Sequence, residues 1–433
     1  MFEVFRNAWK IADLRKKILF TLFIVLIFRL GASIFVPFLD SAGIAETLGM
    51  NSSDGNLFSY WDQMTGGSLS NGTLFAMSIT PYINASIIVQ LLTVAIKPLE
   101  RLAKEGDEGR KKLNKINKFV ALGLAIFQAI AFYITLRNGG VVVYTSGFES
   151  ILAAIVIVAC FVAGASLIIW LGDQISEKGI GNGISIILFA GIVSRLPNNI
   201  YDLIKEIETG IANKILVPII LVIYVAMITL VVLMTNAERR IPVQYAKRVV
   251  GRKMYGGQST YIPIKVAMSG VMPIIFAMSI MSLPSTICYF FNIDGTGTSF
   301  WDGFVRLFST SSWLYAILYF LLIIGFNYFY VAIQYNPIEI ANNLKKNNGA
   351  IPGYRPGQPT ADFIRNSLNK ITLIGAIFLG FIAIFPIIFQ NLSGIRGLSL
   401  GGTTMLIIVG VALETMRTLE SQMMMRHHKG FLE

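Results

Sequence analysis

The sequence predicts an all-α polytopic membrane protein: ten transmembrane helices in two inverted, pseudo-symmetric halves of five. Of its 433 residues, 54% are hydrophobic and only 14% are charged, and the mean hydropathy is +0.65. A soluble domain normally carries about a quarter charged residues, so this chain belongs in lipid. The ten apolar segments that give the helix count lie near residues 18–38, 74–96, 119–136, 151–171, 184–197, 215–235, 266–291, 313–335, 371–391 and 403–420.

The N-terminal stretch 1–17 has the pattern of a basic amphipathic helix lying at the membrane interface. The first apolar segment is too long for a signal-peptide core and lacks a small-residue cleavage pattern, so we expect a permanent span. Arg29 is the one clear charge within it. We expect Arg29 to reach outward to the interface or to pair with a carboxylate, the alternative being a functional role.

The stretch between residues 57 and 96 contains a membrane element that is interrupted. Its first part, 57–71, carries Gly66 and Gly67 and is shorter than the roughly 20 apolar residues needed to cross a bilayer. On the second part, a helical period of 100° places Thr80, Ile83, Ile87 and Gln90 within about 80° of arc. Such a face suits a water-filled vestibule with an aliphatic constriction, although polar contacts between helices would also explain it.

Charge predicts the orientation of the chain. The net charge is +12, and most of the 36 lysines and arginines lie in the N-terminus and in the loops that follow even-numbered spans. The positive-inside rule then places both termini in the cytoplasm. Two of these basic loops, 236–265 and 336–370, are longer than a tight connection requires and favour the docking of a large partner, attraction to lipid headgroups being the alternative.

Internal symmetry points to a central pathway. Ten spans divide into a first half at 18–210 and a second at 211–424, followed by a tail at 425–433, and an odd number of spans per half inverts the second. Spans 2 and 7 are polar and interrupted, whereas spans 5 and 10 are short and introduced by glycines. Irregular spans at matching positions indicate a substrate path, so spans 2, 5, 7 and 10 should line it.

Several function classes lack their required residues. The spans show no carboxylate or histidine of the kind that couples a pump, and the two cysteines suggest neither a disulfide framework nor a metal site. No phosphate-binding loop or catalytic set is present, so we expect no enzyme activity, no cofactor and no direct nucleotide binding. A secondary transporter of a small solute, or an insertase or scaffold without a pore, remains as an alternative.

Five stretches resemble the SecY family, the pore subunits of the bacterial protein-translocation channel. They are ITPYINASIIVQLLT (79–93), KGIGNGISII (178–187), YAKRVVGR (245–252), QSTYIPIKVAMSGVMPIIFA (258–277) and NNLKKNNGAIPGYRPGQPT (342–360). The resemblance covers essentially the whole chain. It implies a clamshell whose seam lies between spans 2 and 7, and a channel that moves unfolded secretory polypeptides across the cytoplasmic membrane and releases membrane-protein helices sideways.

The resemblance also implies site residues. The pore ring is expected at Ile83, Ile87, Ile184, Leu188, Ile275 and Ile407. A plug is expected at about 58–71, including Phe58, Trp61, Met64, Gly66, Gly67, Leu69 and Asn71. The lateral gate is expected at Ser86, Gln90, Gln128, Ser279 and Leu283. Docking of a motor or ribosome is expected at Arg239, Arg240, Lys247, Arg248, Arg252, Lys253, Arg355, Pro356 and Gly357.

The same resemblance implies the partners of the chain. They are the small membrane subunits SecE and SecG, the SecA ATPase motor, the ribosome, signal sequences and nascent polypeptides, and the lipid bilayer.

Overall fold

A computed structural model describes residues 2–48, 57–208, 216–245, 248–250, 253–255, 259–290, 303, 307–308, 312–393 and 402–427. The first eight helices in this part of the chain are α1 (Phe2–Lys10), α2 (Ala12–Gly31), α3 (Ser41–Thr47), α4 (Leu57–Thr65), α5 (Thr80–Ala95), α6 (Lys97–Lys104), α7 (Asp107–Asn138) and α8 (Gly147–Lys178). They are followed by α9 (Gly183–Glu208), α10 (Leu216–Asn236), α11 (Met272–Phe290), α12 (Trp313–Gln334), α13 (Pro337–Lys346), α14 (Gln358–Ser393) and α15 (Gly402–His427). The strands are β1 (Glu238–Tyr245), β2 (Arg248–Val250), β3 (Lys253–Tyr255), β4 (Ser259–Lys265) and β5 (Gly349–Ala350).

A helix coincides with each of the ten predicted apolar segments, which confirms a helical, multi-pass membrane protein. Within the described residues, five helical stretches are long and apolar enough to cross a membrane alone. A sixth qualifies if α5 and α6, which meet at an angle of 106°, count as one broken span. Large apolar side chains on α2 and α8 are exposed, for example Phe23 at 59% and Ile155 at 65%, as expected of surfaces that face lipid.

The helix ends differ from the predictions near the N-terminus and in span 2. The helix expected over 1–17 is divided at Ile11, and its second part continues into the membrane helix α2. Span 2 was expected from residue 74, but helix α5 begins only at Thr80, so Pro81 lies in its first turn. Proline is tolerated there because the first backbone N–H groups of a helix have no intrahelical acceptor.

Span 5 is longer than the 14 or so residues that hydropathy marks. Helix α9 has 26 residues and contains Pro197. Hydropathy delimits the apolar part of a helix, whereas backbone hydrogen bonding continues into its polar flank. The expected boundary between the halves, at residues 210 and 211, lies outside the described residues, as does the tail beyond residue 427.

The helices pack in the same order in the two halves. Helices α5, α7, α8 and α9 contact one another in succession, and so do α11, α12, α14 and α15. Between the halves, α9 contacts α15, while α11 contacts α5 and α7. The four irregular spans, 2, 5, 7 and 10, therefore meet where the halves join.

The two long basic loops fold together into one small body, here called the loop body. Strand β1 pairs antiparallel with both β4 and β5 in the order β4-β1-β5, and β2 and β3 form a separate hairpin. Its apolar core joins both loops and includes Ile241, Val243, Ile264, Leu344, Ile351, Ile364, Leu368 and Ile371. The strands were not predicted, because the basic residues and prolines of these loops obscure the alternation of Ile241 and Val243.

Candidate functional site

Three of the predicted ring residues line one small cavity at the junction of the halves. Ile83 on α5, Leu188 on α9 and Ile275 on α11 surround a space of about 20 Å³, close to the volume that holds one water molecule. Thr80, Ser78, Ile79, Met278 and Ser279 complete this part of the wall. We call this constriction the neck.

The other three predicted ring residues lie close to the neck in different ways. Ile407 on α15 is buried in the same apolar cluster as Leu188, with Ile83 and Ile184 packed against that cluster. Ile184 also packs toward α8, since a Cβ built on Gly172 would be 3.2 Å from its Cγ1. Ile87 is buried one turn beyond Ile83 on α5.

The predicted plug is a short helix seated directly against the neck. Trp61 and Met64 of α4 line the neck cavity. On its other side the plug is apolar, because Phe58 and Leu69 are buried in a cluster with residues of α7 and α8. A second cavity of about 50 Å³ separates this side from Gln128 on α7.

A glycine turn lets the plug approach α9 closely. Gly66 and Gly67 follow α4 with φ angles of +69° and +88°, a region that glycine adopts without steric cost. A Cβ on Gly66 would stand 2.6 Å from Ser194 Oγ, and one on Gly191 would stand 2.5 Å from the Met64 carbonyl oxygen. The Nδ2 of Asn71 donates to the Gly67 carbonyl at 2.8 Å and closes the turn.

The plug carries a buried carboxylate that the sequence analysis did not single out. Asp62 is only 4% exposed and forms an ion pair with Arg195 on α9. Its Oδ1 also accepts a hydrogen bond of 2.7 Å from the Ser70 backbone N–H. The two contacts satisfy a charge that would otherwise be costly to bury.

Arg29 does not behave as expected. Its Nη1 donates to Ser194 Oγ at 2.9 Å and to the Gly66 carbonyl at 3.4 Å. The described contacts therefore turn this side chain inward, to the plug and α9, and not outward or to a carboxylate. The reason is local: the plug turn places the Gly66 carbonyl within reach of Arg29, close to the Ser194 hydroxyl.

The seam between the halves contains a polar contact in addition to apolar packing. The side chain of Gln90 on α5 lies beside Tyr330 on α12, so this polar pair spans the two halves. Ser279 lies at the neck, and Gln128 faces the plug cavity. Ser86 is half-buried on α5, whereas the side chain of Leu283 lies outside the described residues.

The predicted docking residues lie on the loop body. Arg239 and Arg240 are exposed on β1, and the Arg240 guanidinium stands 4.8 Å from the centre of the Tyr261 ring. Its hydrogen bond with Glu238 raises the pKa of Arg240. Burial, and secondarily the charge of Arg417, lowers the pKa of Lys265 at the base of β4.

The second docking element is the turn before α14. Arg355 and Pro356 are exposed, and Gly357 has a φ of +112°. The Arg355 carbonyl accepts a 2.8 Å hydrogen bond from the Thr360 hydroxyl, which orders this turn. Lys247 and Arg252 lie outside the described residues, as do the side chains of Arg248 and Lys253 on β2 and β3.

Sequence reasoning missed several side chains of this site, among them Asp62, Ser194, Arg195 and Tyr330. Asp62 and Arg195 did carry a signal, because each is an isolated charge beside an apolar segment. Tyr330 gave none, since tyrosine is common in apolar helices.

The comparisons with known proteins agree with this architecture. The sequence model of the SecY family matches residues 73–416. The protein translocase subunit SecY of Mycobacterium tuberculosis is 42% identical over 446 residues, which cover all of both chains.

Two solved structures show the same fold. One is a SecY protein whose plug domain stabilises the closed state of its channel and maintains a membrane seal; it has a TM-score of 0.66 and 20% identity, covering 94% of this chain and 92% of that one. Sec61 in the canine ribosome–channel complex has a TM-score of 0.63 and 19% identity, with the same coverage. These comparisons lend no support to the small-solute transporter alternative.

Proposed function

Because this chain belongs to the SecY family of protein translocase subunits, we propose that it is the central subunit of a protein-conducting channel. It moves unfolded secretory polypeptides across the cytoplasmic membrane and releases the helices of membrane proteins sideways into lipid.

The observation that carries this proposal is the neck. Ile83, Leu188 and Ile275 come from three different helices of two halves and meet around a space of about 20 Å³. The aliphatic side chains of this constriction oppose the passage of ions, as hydrophobic constrictions do by dewetting. The described residues that line it include no charged group that would hold a particular cargo, which suits a chain of varied sequence. Ile87, Ile184 and Ile407 complete the ring in this proposal.

The plug blocks the resting channel. Residues 58–71 place Trp61 and Met64 directly against the neck, where they fill the path that a polypeptide would take. In a related SecY protein, the plug domain stabilises the closed state and maintains the membrane seal. We assign the same role to this segment.

The lateral gate lies where α11 meets α5 and α7. A signal sequence or nascent membrane helix separates these helices and replaces their contact with its own apolar surface. Apolar residues gain about 0.3–0.6 kcal/mol each on entering lipid, so sufficiently apolar segments leave sideways while polar segments continue. Ser86, Gln90, Gln128, Ser279 and Leu283 are the proposed gate residues.

The loop body is the proposed docking surface for a motor or ribosome. Its arginines on β1 and its turn at Arg355 are exposed, and a related Sec61 channel is found bound to a ribosome. Positive charge suits both ribosomal RNA and acidic protein surfaces. The further partners proposed are SecE, SecG and the SecA ATPase, with both termini and the loop body in the cytoplasm.

Reconstitution tests the function directly. The chain is placed in lipid vesicles with SecE and SecG, and a secretory precursor is added with SecA and ATP. We expect precursor to become protected from external protease only when SecA and ATP are both present. Absence of protection, together with failure of the chain to co-purify with SecA or ribosomes, would contradict the proposal.

A further inference from the structure

We propose that the ion pair between Asp62 on the plug and Arg195 on α9, supported by Arg29 on α2, is the latch that holds the plug closed. This inference rests on the plug proposed above and adds the residues that position it. We refer to Asp62, Arg195, Arg29 and Ser194 as the latch.

The first part of the latch is the carboxylate. Asp62 is 4% exposed, and its charge is balanced by Arg195, whose side chain is 26% exposed. Arg195 Nη2 also donates to Ser70 Oγ at 3.4 Å, so it contacts both ends of the plug turn. A buried ion pair loses its compensation when either partner is removed. When the plug is withdrawn, the Asp62 carboxylate must therefore exchange these contacts for hydrogen bonds with water.

The second part is Arg29, which contacts the backbone of the plug. Its Nη1 bonds to the Gly66 carbonyl and to Ser194 Oγ, while Ser194 Oγ donates to the Gly191 carbonyl at 2.6 Å. This chain of contacts joins α2, the plug turn and α9. Hydrogen bonds with a charged partner are about twice as strong as neutral ones, so Arg29 further stabilises the closed position of the plug.

The latch can open without disturbing the scaffold that carries it. Helices α2 and α9 are joined through α8 by an apolar cluster that includes Phe28, Ile168, Leu171 and Ile187. That cluster does not depend on the latch. The opposite side of the plug, by contrast, is apolar, and apolar contacts are not directional. The charged side therefore sets the closed position, since it fixes both the orientation and the depth of the plug.

The test measures the resting conductance of the purified full-length channel in planar bilayers. The variants are Asp62→Asn, Arg195→Gln and the double variant, with Glu149→Gln as a control that removes an exposed carboxylate from α8. We expect each latch variant to raise resting conductance about tenfold, with no change for Glu149→Gln. The double variant should raise it less than the two single effects combined, because the partners act as a pair.

A deletion of residues 58–71 separates this inference from the plug proposal. If the deletion leaves the channel silent, the plug proposal itself fails. If the deletion conducts while Asp62→Asn stays silent, or if the single effects combine fully in the double variant, the latch is overturned.

Thiol labelling provides a second measurement that does not depend on conductance. Met64→Cys is introduced with Cys160 and Cys288 changed to serine, and a membrane-impermeant maleimide is added from the outer side. Labelling should be slow with the latch intact and about tenfold faster with Asp62→Asn, in channels that elute as the same single species. Equal labelling rates would overturn the latch.

Discussion

The Met64 backbone of the plug packs directly against Gly191 of α9: a Cβ built on Gly191 would stand 2.5 Å from the Met64 carbonyl oxygen. Neither partner can move easily, because each is backbone. This contact sets how closely the plug can approach α9.

Replacing Gly191 with alanine should therefore displace the plug. Overpacking of this kind costs about 1–3 kcal/mol, and we expect resting ion conductance to rise accordingly, by fivefold or more. Planar-bilayer recording measures the change. Gly123→Ala on α7 is the matched control, since a Cβ there meets nothing within 4 Å. A silent Gly191→Ala channel would show that the plug does not depend on this approach.

The aliphatic side chains of the neck lead to a second prediction. Changing Ile83, Ile87 and Ile275 together to serine should let water enter the constriction and make the resting channel leak ions, because dewetting requires an apolar wall. Single-channel recording and vesicle ion flux both report the leak. The control changes Ile88 and Leu92, which are exposed on the same helix, to serine. An unaltered conductance in the triple variant would count against the ring.

Gln90 and Tyr330 lie beside each other across the seam, so this polar pair should affect how firmly the seam is closed. Tyr330→Phe removes the hydroxyl of this pair and should favour the open gate by about 1 kcal/mol, roughly fivefold. We expect more export of a reporter whose signal sequence has been shortened, measured by its processed fraction. Tyr328→Phe is the control, because its hydroxyl bonds to the Asn369 carbonyl instead. Equal export by both variants would argue that Gln90 does not hold the gate.

Changing Arg355 on the loop body should impair motor-driven export and not the resting seal of the channel. Arg355→Glu reverses an exposed charge at the docking turn and should abolish SecA-driven export while leaving the amount of assembled channel unchanged. Precursor protection in vesicles and the amount of chain in membranes provide the two measurements. Arg110→Glu, which reverses an exposed charge at the start of α7, is the matched control. Normal export by Arg355→Glu would refute the docking role.

Hydropathy and local irregularity were sufficient to predict the helices and their approximate order. Segments of about 20 apolar residues have few alternatives to a membrane helix. Helices α2, α7, α8 and α12 can therefore be identified directly from the sequence. Helix ends were less predictable. The start of α5 at Thr80 and the continuation of α9 to Glu208 depend on backbone hydrogen bonding, which hydropathy does not record.

What this sequence determined alone is a membrane protein whose spans 2, 5, 7 and 10 are irregular, together with its likeness to the SecY family. Only the tertiary structure decided that Asp62 meets Arg195, that Arg29 turns inward to Gly66, and that Gln90 reaches Tyr330. Each of these contacts joins residues far apart in the chain. Their partners are chosen by the packing of whole helices, and no local pattern of residues encodes that choice.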